Sequence, residues 1–142
     1  MIWKIGTSGH RKIGFIISSR KGRSMSVDMH QELRKRTKAF ALRIMRMSRT
    51  IPSNREANVI SNQILRSATG MAANYRAAGL SRSKAEFISK IGIVVEEADE
   101  TVFWLELLCE SGLMPEAKLR ELLFEGNQLV AIFLASRRTA KA

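Results

Sequence analysis

From Asp28 onward, apolar residues recur three and four positions apart over long windows, and no strand-like alternation competes with that period. Leu33, Phe40, Ile44 and Met47 fall on one side of a first helix, expected near residues 28–50. The Ile51-Pro52-Ser53-Asn54 stretch ends it, because proline disfavours helix in the residue before it and Ser or Asn can cap a new start. A second helix, near 54–78, turns Ile60, Ile64, Ala68, Met71 and Tyr75 inward, and Gly79 offers the left-handed conformation that often closes a helix. Ser83-Lys84-Ala85-Glu86 has the spacing of a capping box and opens a third helix running to about Ser111. Its inner side reads Phe87, Ile91, Val94, Ala98, Val102, Leu105 and Cys109. Gly112 and Pro115 break the pattern, and a fourth helix near 116–137 carries Leu119, Leu122, Gly126, Leu129 and Phe133. Four long amphipathic helices with short connections predict an all-α fold, an antiparallel up-and-down four-helix bundle.

A chain of 142 residues, 45% hydrophobic, supports one domain with one core. Its apolar runs, such as LVAIFLA at 129–135, fall short of the roughly 18 residues that cross a bilayer, so a soluble protein is expected. Cys109 has no second cysteine to pair with, and a reducing cytoplasm fits. The net charge of +11 changes the picture more, because excess Lys and Arg favours nucleic acid or anionic surfaces. Residues 1–24 hold +6 of it without one acid, ahead of the regular sequence of 25–142. The chain therefore divides into a basic flexible N-terminal arm, 1–24, and a bundle domain, 25–142. For the arm, two readings stand side by side: a nucleic-acid-binding segment, and an upstream-start extension with no role.

Candidate chemistry is sparse. Glu96, Glu97, Asp99 and Glu100 cluster on the third helix, but neither His10 nor His30 follows a Glu by three residues, as a di-iron bundle requires. No metal or other cofactor is expected. Cys109 lies in a leucine-rich stretch with no histidine to activate it, and no Gly-rich phosphate loop or G-x-S-x-G is present. The reading is of a protein that is not an enzyme. The first helix is strongly basic, and Lys35, Lys38, Arg43, Arg46 and Arg49 are its candidate phosphate-binding residues. Its charge can also be complemented by the acidic third helix, within a subunit or across an interface. That third helix is apolar round much of its circumference at Val102, Phe103, Trp104, Leu105, Leu107 and Leu108, which predicts contact with another subunit. Small residues from Ser67 to Ala78 would let the second helix approach a neighbour closely, with Asn74 partly buried and hydrogen-bonded. The alternative for Asn74, with Arg66 and Arg76, is a ligand-binding cluster.

At residues 66–108 the chain resembles a known family. RSATGMAANYRAAG followed by SKAEFISKIGIVVEEADETVFWLELL is similar to the bacterial four-helix-bundle proteins related to the 23S ribosomal RNA intervening-sequence protein. The resemblance spans about residues 30–135 and rests on Arg66-Ser67, Ala73-Asn74-Tyr75-Arg76, Ser83, Phe87, Lys90, Glu97, Glu100 and Trp104-Leu105. Ala77 stands where the family commonly has Glu, and Ser89 where it often has His. The resemblance implies a homo-oligomeric ring, a homopentamer, with Arg66, Asn74, Tyr75, Arg76 and Trp104 in its packing. A related branch resembles the accessory variability determinant of diversity-generating retroelements, a basic pentamer that associates with a reverse transcriptase and nucleic acid. The expectation is a cytoplasmic, homo-oligomeric accessory protein that binds RNA or DNA. The alternative is a scaffold that recognises a protein partner through the apolar surface of its third helix.

Overall fold

The second and third helices start at side-chain caps, and Pro52, Gly112 and Pro115 stand in the breaks between helices. The computed structural model describes the backbone of residues 20–142 and side chains from residue 27 onward. It contains α1 (Arg20–Ser48), α2 (Arg55–Ala78), α3 (Lys84–Glu110) and α4 (Glu116–Lys141), and no strand among the described residues. Residues 1–19, most of the expected arm, lie outside the described residues, and α1 begins eight residues before Asp28. Asn54 caps α2 by accepting from the Ala57 amide at 2.9 Å, and Ser83 caps α3 by accepting from the Glu86 amide at 3.0 Å. Past α3, Gly112 takes the left-handed conformation at φ 80°, while its amide reaches the Cys109 carbonyl at 3.1 Å.

Gly79 behaves differently from expectation. It closes α2 in the right-handed region, at φ −66° and ψ −14°, so backbone freedom is not why glycine stands there. The reason is steric: a Cβ on Gly79 would lie 1.9 Å from Nε2 of His30. That imidazole is buried against the end of α2, where its Nδ1 shares a 3.0 Å hydrogen bond with the Tyr75 hydroxyl. Tyr75 in turn packs on Phe133 at 5.1 Å between ring centroids, tying α1, α2 and α4 together.

The four inward stripes meet in one core built round Phe40, Ile44, Ile64, Met71, Phe87, Ile91, Leu105, Leu119, Leu129 and Phe133, all essentially without solvent contact. Leu108 takes the core position expected of Cys109, whose thiol is half-buried. Helix α1 packs on α2 and α4, and α3 packs on the same two, so α1 and α3 are diagonal, with no close approach of their backbones. This corrects the expected pairing of the first and third helices within a subunit. The cations of α1 find their acids on α4 instead: Arg36 donates to both oxygens of Glu125 at 2.7 and 2.8 Å, and Arg43 lies 4.0 Å from Glu121.

Replacing Gly79 with Ala is expected to displace the His30 ring and cost about 1–3 kcal/mol, as overpacking of a filled site does. Thermal unfolding measures it. The double variant H30A/G79A should lose less than the sum of its two single changes, and additive losses would show that the two positions do not clash.

Candidate nucleic-acid interface

The valley between α1 and α2 is left partly empty because α2 places Ala72 and Ala73 on its floor. The resulting groove, about 490 Å³, is lined by Gln31, Arg34, Lys35, Lys38, Ala72, Ala73 and Arg76. Lys35, Lys38 and Arg76 are exposed and Arg34 is half-buried, their aliphatic stems forming walls that lift the charges above a methyl-lined floor. None of these four cations pairs with an Asp or Glu among the described residues. The lining offers donors to anions and apolar contact, with no carboxylate, thiol, hydroxyl or imidazole to act as a base or nucleophile.

The residues expected to meet phosphate do not form one patch. Lys35 and Lys38 enter the groove, whereas Arg43 leans toward Glu121. Arg46 is exposed further along α1, about 12 Å beyond Lys38 at ~1.5 Å per residue, and Arg49 is exposed in the turn just past the end of α1. Arg76, read from sequence as a packing residue, joins the groove, as does Arg34, which sequence reasoning did not single out. The signal was available: Arg34 precedes Lys35 and lies one helical turn before Lys38, and Ala72, Ala73 and Arg76 follow the same spacing on α2. The small residues of α2 thus serve two ends. Ser67, Ala68 and Ala78 are buried in packing, and Ala72 and Ala73 keep a surface open.

The other packing candidates gather between α2 and α3. Arg66 bridges Glu97 at 3.6 Å and hydrogen-bonds Glu100, which also accepts from the Trp104 indole N–H at 3.0 Å. Beneath them, Thr101 Oγ1 donates to Ser67 Oγ at 2.8 Å. Asn74 is half-buried as expected, but its amide donates along its own helix to the Gly70 carbonyl at 2.8 Å. Tyr75 is buried, and burial pushes its phenol up so that it stays protonated. The outer side of α3 leaves Phe103 47% and Ile93 41% exposed, with Phe103 edge-on to Trp104 at 4.9 Å. Among the described residues, no three His, Cys, Asp or Glu side chains gather as a metal site, and no helix is long and apolar enough to cross a membrane.

Four antiparallel helices on one core, with a basic groove on one side, define a four-helix-bundle protein. The chain belongs to the family of the 23S rRNA-intervening sequence protein, whose model matches residues 29–134. Among solved structures it is similar to a protein of unknown function from the S23 ribosomal protein family of Bacteroides thetaiotaomicron. The two share 28% identity and a TM-score of 0.71 over 77% of this chain and 97% of that one. No curated protein matches the chain.

The Arg66 cluster sets two opposing pH dependences. The Trp104 N–H, followed by Arg66, holds the Glu100 carboxyl below its usual range. Its stabilising effect is present above the ordinary carboxylate range and is lost as acid protonates the folded form. Burial pushes Glu97 up against the pull of Arg66, so its ionised form costs stability at neutral pH and that cost fades in acid. Glu100→Gln is therefore expected to lower the melting temperature at neutral pH and Glu97→Gln to raise it, both differences shrinking toward about pH 3. Thermal melts across that range check both signs.

Proposed function

We propose that this protein is a non-enzymatic, homo-oligomeric accessory factor of the cytoplasm that binds RNA or DNA through the α1–α2 groove. The observation that carries this reading is the set Arg34, Lys35, Lys38 and Arg76, none matched by a carboxylate, around an alanine floor. Cations so placed take phosphates, and the methyl floor accepts the apolar face of a sugar or base. The family connection to ribosomal RNA genes and the +11 net charge support the same class of partner.

Self-association is the second element. The exposed apolar side of α3, with Phe103 and Ile93 uncovered, supports a subunit interface there, and the resemblance supports a pentameric ring. The competing reading uses the same surface to recognise a protein partner, such as a reverse transcriptase, in place of another copy.

Two measurements test the proposal. Light scattering on the eluting protein should report an oligomer that Phe103→Glu dissociates; an unchanged assembly would remove α3 as the interface. Binding of labelled RNA and DNA over a salt series should be steep for the wild type. The variant K35Q/K38Q/R76Q should reduce the slope of log K against log salt by about 2 on single strands. Replacing Arg46 and Arg49 should cost less. A wild-type protein that ignores both nucleic acids sinks the groove reading and favours the protein partner.

A further inference from the structure

The charges of the described bundle are not spread evenly along its axis. The His30, Tyr75 and Phe133 rings meet at one level, and Arg137 lies over Gly92, so residues 27–35, 72–95 and 133–142 share one end. That end carries nine Lys and Arg against three Asp and Glu. The middle band, residues 36–45, 61–71, 96–106 and 120–132, carries five against seven, and the opposite end, 46–60 and 107–119, four against three. The positive excess of the described domain therefore sits at the end where α2 turns into α3.

Pairing sharpens the contrast. In the middle band Arg36, Arg43 and Arg66 each meet a glutamate. Of the nine cations at the basic end, only Arg82 does, through a 3.5 Å contact to Glu86 on a side chain that is itself 84% exposed. Lys84 Nζ reaches the Ala142 carbonyl at 3.3 Å, joining the start of α3 to the end of α4. Lys84 thus lies at the end of α4 that carries Arg138 and Lys141, and Arg137 lies over Gly92 of α3. Helix dipoles account for the cations ending α4, but not for Lys84, which sits in the first turn of α3. There the helix dipole opposes a cation. Beyond its contact with Ala142, Lys84 is exposed and open to an anion.

We infer that this end of the bundle is a second phosphate-binding surface, carrying a nucleic-acid backbone onward from Arg76 in the groove across Arg82 and Lys84 to Arg138 and Lys141. The inference rests on the nucleic-acid reading of the groove and extends it. These exposed Lys and Arg side chains would meet phosphates, so recognition through this surface is of the backbone and not of sequence.

The test uses the full chain and three variants, each first shown to be folded by circular dichroism: R82Q/K84Q, R138Q/K141Q, and R55Q/K118Q at the opposite end as a control. Fluorescence anisotropy with labelled oligouridylate, and separately with duplex DNA, gives log K against log salt. On the single strand each basic-end variant is expected to lower the slope by about 1.4, and the two combined by about 2.8, with the control unchanged. If the basic-end variants keep the wild-type slope while K35Q/K38Q/R76Q loses it, the second surface is wrong and the groove reading stands. An equal loss in R55Q/K118Q would show that net charge acts without a defined surface, which also overturns the inference. If the wild type binds neither probe, the groove reading itself fails first.

Discussion

The close approach of α2 to α3 fixes what the rest of the molecule can display. Thr101 and Ser67 meet through their hydroxyls at 2.8 Å, and the Glu97 carboxylate folds over Gly70, where a Cβ would come within 3.1 Å of its Oε2. A larger residue at Ser67 would crowd this seam, and one at Gly70 would displace the Glu97 carboxylate. With that seam set, the rotation of α2 is set too: Ile64, Ala68, Met71 and Tyr75 point into the core, and Ala72 and Arg76 are turned toward α1. The groove is a consequence of the same helix rotation that closes the core.

The diagonal placement of α1 and α3 then decides which charges cancel. Because the two backbones stay apart across the diagonal, the acids of α3 are answered by Arg66 of α2, and the cations of α1 by Glu121 and Glu125 of α4. Those pairs lie near mid-bundle, and no acid of α3 or α4 pairs with Lys35, Lys38 or Arg76. Exposed ion pairs contribute little to stability, roughly 0–1 kcal/mol each, so the pairing pattern matters less for folding than for where uncompensated charge is left. It is left on the groove and at the turn between α2 and α3.

Most of the fold was legible because helical period, caps and breaks are local signals. Asn54 and Ser83 cap as their positions indicate, and every inward residue expected on α2 and α4 is buried. What failed was non-local. Gly79 has the chemistry of a left-handed cap, and only the arrival of His30 from α1 shows that it is there to make room. The pairing of α1 with α3 was plausible by charge sign but depends on bundle order, which no single-helix pattern encodes. Half of the candidate site was legible for the same reason: Lys35 and Lys38 could be read from one helix, but Arg76 and the alanine floor belong to another, and small residues look alike whether they pack or leave a gap.

The same diagonal bears on whether assembly and nucleic-acid binding can coexist. The proposed subunit contact is on α3, through Phe103 and Ile93, while the proposed groove lies between α1 and α2. Helices that are diagonal in a bundle present their outer faces in opposite directions, so covering α3 does not cover the groove. An assembly built on α3 would therefore repeat the groove once per copy on its accessible side. Several weak phosphate-binding surfaces held together act at a high effective concentration toward one strand, which multiplies affinity without any new contact. On the proposed reading, a groove of four cations would bind modestly on a single copy, and pointing the apolar side of α3 away from the basic side of α1 would let assembly multiply it.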